Sequence, residues 1–207
     1  MISIVVVDDE TLIASSLATL LGLEDDVDVV ASFSSGEAVV DWWRKRHEVG
    51  EPVPDVCVTD LQLGGIDGVE VAEQILGITP ETKILIVTSH SRPRQLKRAL
   101  NAGVQGFMPK TSSAEEFAAA IRAMCSGRRY IDPELAAMTI SSGDSPLTER
   151  EAEVIEAAGR GGSVEDIAAA VFLAVGTTRN YLSSAMAKLE AQNRFEAYLK
   201  AREKGWI

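Results

Sequence analysis

The sequence predicts an α/β fold with a five-stranded parallel sheet covered by helices, followed by an all-α domain of four helices. Three observations predict it. Five apolar, strand-like runs alternate with segments of helical spacing, the pattern of a parallel sheet with helices on both faces. That alternation stops after Gly127, and no strand signal follows Leu147. Between the two regions lies ISSGDSP, rich in serine and glycine and closed by a proline, which reads as a linker.

Taken in order, the first run is Ile2 to Val7, and it delivers Asp8 and Asp9 at its end. The second, Val27 to Phe33, precedes a helix whose start is marked by Ser34 with Glu37 three residues on. Val53 to Thr59 leads into Asp60 and the glycine-rich turn of VTDLQLGGIDG, after which Asp67 and Glu70 open another helix. Lys83 to Thr88 and Val104 to Met108 complete the sheet; Lys110 follows, then Ser112 and Glu115 as a third capping pair. A short helix is expected near Pro133. The tail is read as helices over 148–160, 163–171, 176–189 and 193–204, with Thr148 and Glu151, and Asn193 and Glu196, as caps. The expected organisation is therefore a domain over 1–128, a linker over 129–146 containing the short helix, and a helical domain over 147–207.

Composition narrows the function classes. The 207 residues are 46% hydrophobic and 25% charged, enough for one good core or two. Net charge is −11, which argues against a generic nucleic-acid binder, yet the charge is unevenly placed. Residues 1–144 carry 12 basic against 22 acidic side chains, a net of −10, whereas residues 145–207 carry 8 against 9. No leader-like start and no apolar run of the roughly 18 residues needed for a membrane span occur, so a soluble cytoplasmic protein without membrane contact is expected. Cys57 and Cys125 read as core or near-core thiols, and two histidines, His47 and His90, do not make a zinc site.

The sharpest chemical signal is acidic. A parallel sheet would bring Asp8, Asp9 and Asp60 together at the carboxyl ends of its strands, where ligands bind in open α/β sheets. Carboxylates so placed repel each other unless a cation joins them. Magnesium suits one or two carboxylates plus a phosphoryl oxygen, so Asp60 is read as a nucleophile that accepts a phosphoryl group. Thr88 offers a hydroxyl and Lys110 an ammonium to the same phosphoryl oxygens.

These residues resemble the receiver of a two-component response regulator of the NarL/FixJ type, over roughly residues 1–128. The resemblance implies a CheY-like (flavodoxin-like) fold, Mg2+ on Asp8, Asp9, Asp60 and the backbone carbonyl of Gln62, and phosphorylation of Asp60. It also implies Thr88 and Phe107 as switch residues, and Lys110 in the catalytic set. One departure is Gly64, followed by Gly65, where receivers commonly carry a proline four residues after the acceptor.

In the tail, the second and third helices are separated by a bend around Phe172 to Val175, which is helix-turn-helix spacing. The third helix would enter a major groove, with Thr177, Arg179, Asn180, Ser183 and Lys188 as exposed candidates for DNA contact. Arg179 and Asn180 suit base edges; Thr177 and Lys188 suit phosphates. Leu182, Met186 and Leu189 recur at helical spacing and face a core. LTERE, the Ile-Ala of the second helix, and the Lys-Leu and Asn-Arg pairs resemble a LuxR-type helix-turn-helix. Departures are Val164, Glu165 and Asp166 in the second helix, Ala174 where a serine usually caps, and Thr178 in place of valine.

Together these resemblances imply a transcription regulator rather than an enzyme of substrate turnover. Its partners would be a sensor histidine kinase, promoter DNA with two half-sites, and a second copy on phosphorylation. Arg92, Arg94, Lys97 and Arg98 on one helix and Glu115 and Glu116 on the next suggest a dimer face. Two alternatives stand beside this reading: an output domain that binds protein, motivated by Glu165 and Asp166, and an aspartyl-phosphate phosphatase, against which stands Gln62 in place of a second aspartate.

Overall fold

The computed structural model describes residues 1–89, 93–141, 143 and 145–207, so His90 and Arg92 lie outside the described residues. The chain divides into two compact units, the first of residues 1–89 and 96–133 and the second of residues 134–207 together with the short segment 93–95. In the first, strands β1 (Ile2–Val7), β2 (Val27–Phe33), β3 (Val56–Asp60), β4 (Lys83–Thr88) and β5 (Gly106–Pro109) alternate with helices α1 (Thr11–Leu21), α2 (Gly36–Glu48), α3 (Gly68–Ile78), α4 (Pro93–Asn101) and α5 (Ala114–Cys125). The sheet is parallel, with these five strands in the order β2-β1-β3-β4-β5. The sixth strand corrects the expected five: β6 (Tyr130–Ile131) pairs with β5, and two residues are too short to leave a periodic signal.

The central strands β3 and β4 are buried on both faces, which is why they read as continuous apolar runs. Side chains of β1, β3 and β4 such as Ile4, Val58 and Leu85 pack with Phe117, Ile121 and Met124 of α5 to form the core on one face of the sheet. Trp43 is fully buried and its Nε1–H donates to Thr79 Oγ1 at 2.9 Å, so the one polar atom of the ring is paired. Trp42 lies under the Arg46 guanidinium, 4.8 Å from the ring centre.

Capping differs from expectation by one residue in two helices. Ser35, not Ser34, caps α2 by accepting from Ala38 N–H, and Ser113 with Glu116, not Ser112 with Glu115, forms the box on α5. Adjacent serines leave such a register open in the sequence. Cys57 is buried, its thiol pushed up to about 12 by burial, whereas Cys125 is exposed at the end of α5, contrary to the core assignment.

The second unit holds α6 (Pro133–Ser141), α7 (Glu149–Gly159), α8 (Val164–Ala170), α9 (Val175–Lys188) and α10 (Arg194–Glu203). Its core gathers Val154, Ile155, Ile167, Leu182, Ala185 and Leu189, with Met186 and Trp206 against it. Thr148 with Glu151 and Ser163 with Asp166 form full capping boxes on α7 and α8. Among the described residues no helix is long and apolar enough to cross a membrane.

Candidate functional site

At the carboxyl edge of the sheet, Asp8 directly follows β1 and Asp60 ends β3, neighbours because β1 and β3 pair in register, Val7 beside Thr59. One carboxylate oxygen from each of Asp8, Asp9 and Asp60 lies within 4.8 Å of the others. Asp8 and Asp60 are buried and Asp9 is exposed, so the cluster is closed at its base and open to solvent at its rim. Lys110, carried just past β5, reaches back over the sheet edge to place Nζ 2.7 Å from Asp8 Oδ2 and 2.9 Å from Asp60 Oδ2. Burial of the ammonium works against its charge, but the hydrogen bonds and charges of Asp8 and Asp60 outweigh it and push the Lys110 pKa up. Burial raises Asp8, with Lys110 and the Glu10 amide pulling the other way.

Backbone groups complete the pocket. Gln62 N–H donates to Asp60 Oδ1 at 3.2 Å and Glu10 N–H to Asp8 Oδ1 at 2.9 Å. Gly68, the first residue of α3, is packed so closely that a Cβ there would stand 2.1 Å from the Asp60 carbonyl oxygen. Thr88 ends β4, buried, next to Asp60 through the register Asp60–Val87. Phe107 on β5 is fully buried.

Hard oxygen donors at this spacing, with a lysine already neutralising part of the charge, fit Mg2+. Sequence reasoning missed Glu10, whose Oε1 lies 3.3 Å from Lys110 Nζ, and Glu37, whose Oε1 accepts the Ile66 N–H at 2.9 Å in the turn after Asp60. Glu10 had a signal in its neighbours Asp8 and Asp9. Glu37 instead read as the capping acid of its own helix.

Arg98 of α4 is paired with Asp67, the N-cap of α3, and Glu116 closes the cap of α5, so two of the charges assigned to a dimer face are engaged within their own domain. Arg94, Lys97 and Glu115 lie on the same helices.

In the helical unit, α8 and α9 are joined by a turn in which Phe172 takes φ 54° and is almost wholly exposed. Ala174 at the N-cap of α9 makes no side-chain hydrogen bond. Thr178 is buried and its Oγ1 donates to the Ala174 carbonyl at 3.1 Å, which satisfies the hydroxyl that stands where a methyl would pack. Thr177, Arg179, Asn180 and Ser183 are exposed on α9. Arg179 is held by Glu165 of α8 at 3.1 Å, and Asp166 is taken up by the Ser163 cap.

Lys188 is also exposed, but its ammonium is committed. Nζ lies 2.7 Å from Glu151 Oε2, and the same carboxylate accepts from Ser184 Oγ at 2.6 Å and Thr148 N–H at 2.7 Å. Burial opposes the Glu151 charge, yet these donors hold its carboxyl down at about 2. The phosphate-contact assignment thus falls on a residue that anchors α9 to α7.

Residues 4–122 match the response regulator receiver domain family, and residues 145–201 match the bacterial regulatory proteins of the luxR family. The transcriptional regulatory protein DesR of Bacillus subtilis is 40% identical over 207 residues, the whole of both chains. The transcriptional regulatory protein UhpA of Escherichia coli is 34% identical over 95% of each chain. Among solved structures, the response regulator ChrA of a heme-sensing two-component system aligns over 100% of this chain and 98% of its own, at 29% identity and a TM-score of 0.56. The response regulator RcsB in its DNA complex aligns over 97% and 98% with a TM-score of 0.62; at 23% identity it speaks for the fold alone. A receiver carrying an acidic pocket and a LuxR-type helical output on one chain places this protein in the response-regulator family, among the transcriptional regulators of the NarL/FixJ type.

Proposed function

We propose that this chain is a cytoplasmic transcription regulator that receives a phosphoryl group on Asp60 from a sensor histidine kinase and then binds promoter DNA as a dimer. The observation that carries the reading is the buried Asp8–Asp60 pair joined by Lys110 beneath an open rim at Asp9.

Asp8, Asp9 and Asp60, with the Gln62 carbonyl, would hold Mg2+, which supplies charge neutralisation on the phosphoryl oxygens. Asp60 offers a carboxylate oxygen to phosphorus while the Gln62 amide holds the other oxygen. Lys110 is already charged at the position where one phosphoryl oxygen arrives, so little reorganisation accompanies transfer. The Thr88 hydroxyl, one strand over, meets a second oxygen, and its movement, with Phe107 behind it, would carry the change to α4 and α5. Dimerisation then pairs two α9 helices on half-sites about one DNA turn apart, with Thr177, Arg179, Asn180 and Ser183 toward the groove.

Genomic fragments recovered by the full chain at fixed salt, after acetyl phosphate treatment, test the reading beside an Asp60→Asn control. Enrichment of fragments sharing a two-fold repeat, lost in the control, is expected together with a phosphoryl mass shift confined to wild type. No enrichment from phosphorylated protein would overturn the DNA output.

A further inference from the structure

The turn between β3 and α3 crosses the rim of the acidic pocket, and two consecutive glycines, Gly64 and Gly65, leave it with little stiffness of its own. Its ends are held: Gln62 N–H binds Asp60, and Gly68 abuts the Asp60 carbonyl. Its middle is held from outside. Glu37 projects from the first turn of α2 and accepts the Ile66 N–H at 2.9 Å. Its carboxylate also fills the place a side chain would take on Gly65, where a Cβ would stand 2.1 Å from Oε1. The helix behind it is seated as tightly, since a Cβ on Gly36 would meet Ile66 Cγ1 at 2.6 Å and the Ile66 carbonyl at 3.0 Å. On the other side of the turn, the Cβ position of Gly64 is 3.8 Å from Asp9 Oδ2.

The N-cap of α2 is Ser35, whose hydroxyl accepts the Ala38 N–H. The Glu37 carboxyl lies below the ordinary range because the Ile66 amide binds the charged form, consistent with a carboxylate that works across the gap.

We propose that Glu37 is a positioning residue that clasps the Gly65–Ile66 turn against the pocket and thereby sets how tightly Asp8, Asp9 and Asp60 take a divalent cation and how fast Asp60 is phosphorylated. The inference rests on the phosphoryl-acceptor reading above and deepens it. In the reaction concerned, an Asp60 carboxylate oxygen forms a bond to the phosphorus of acetyl phosphate as the bond to acetate breaks. Acetate leaves with its electron pair and no net proton is exchanged. The clasp acts by keeping the Gln62 carbonyl and the Asp9 rim in one geometry, as outer-shell partners do at metal sites.

The test uses the full chain and Mn2+ as the probe, its free concentration read by electron paramagnetic resonance, with acetyl phosphate labelling followed by intact mass. Glu37→Ala is expected to weaken Mn2+ binding by about tenfold and to slow labelling in step. Glu37→Gln keeps an oxygen acceptor for Ile66 N–H and is expected to stay within about twofold of wild type. Gly65→Ala must displace the same carboxylate, so it should match Glu37→Ala, and the double variant should be no weaker than either single. Three results would each overturn the proposal: unchanged Mn2+ affinity in Glu37→Ala, a Glu37→Gln as weak as the alanine variant, or additive losses in the double variant. Wild type that binds Mn2+ yet takes no phosphoryl group on Asp60 would instead remove the phosphoryl-acceptor reading, leaving the affinity comparison to decide the clasp.

Discussion

Lys188→Met separates a structural from a DNA-contacting role for this lysine. Methionine keeps most of the stem's packing and removes the charge, leaving Glu151 buried with the Ser184 and Thr148 donors named above. Breaking a buried ion pair from one side costs about 3–5 kcal/mol when the remaining charge is left alone. Here two donors remain and the Lys188 side chain is 36% exposed, so about 2–3 kcal/mol is expected. Hydrogen exchange of the α7 and α9 amides in the full chain should then quicken by roughly 30- to 150-fold near neutral pH. The pH dependence follows with a definite sign. Glu151 drops from an ordinary 4.5 to about 2 on folding, so its contribution, on the order of 3 kcal/mol, is complete above about 4.5 and is lost as pH falls toward 2. The gap between wild type and Lys188→Met should therefore be widest near neutrality and close over that window. Exchange unchanged within about threefold, with a salt slope for DNA binding that falls by about 0.9 per lysine lost, would refute the reasoning and return Lys188 to the phosphate contacts.

Other perturbations probe the remaining elements. Lys110→Ala removes the cation between Asp8 and Asp60, so the thermal midpoint should fall in chelator and recover with Mg2+ by more than wild type gains; equal gains would show that the two carboxylates do not repel. Gly68→Ala drives a Cβ into the Asp60 carbonyl oxygen and should cost at least about 1–3 kcal/mol in urea unfolding while lowering phosphoryl uptake. Thr79→Val orphans the buried Trp43 indole N–H and should cost about 1–3 kcal/mol; a stability change under half of that would mean the ring re-pairs. Glu165→Gln releases Arg179 on an exposed surface, so stability should hold while affinity for operator DNA rises; affinity left unchanged would place Arg179 away from the duplex.

Much of the fold was legible because its causes are local. Apolar runs bounded by capping pairs marked the strands and helices, and Asp67–Glu70 and Thr148–Glu151 stand as boxes where they were read. The three aspartates and Lys110 were legible as a set because a parallel sheet delivers the carboxyl ends of its strands to one edge. What escaped were partnerships across long sequence separations. Glu37 meets Ile66 29 residues on, Lys110 meets Glu10 across 100, and Lys188 meets Glu151 across 37.

By itself, then, the sequence determined the alternation of strands and helices, the acidic edge with its lysine, and the helical output with α9 exposed at Thr177, Arg179, Asn180 and Ser183. Tertiary structure alone decided that β6 extends the sheet, that Glu37 reaches from the first turn of α2 to hold the turn beside Asp60, and that the Lys188 charge is engaged by Glu151. The physical reason is the same in each case. Periodicity and capping are written within a few residues, whereas a charge or a two-residue strand finds its partner only when packing has brought distant segments together.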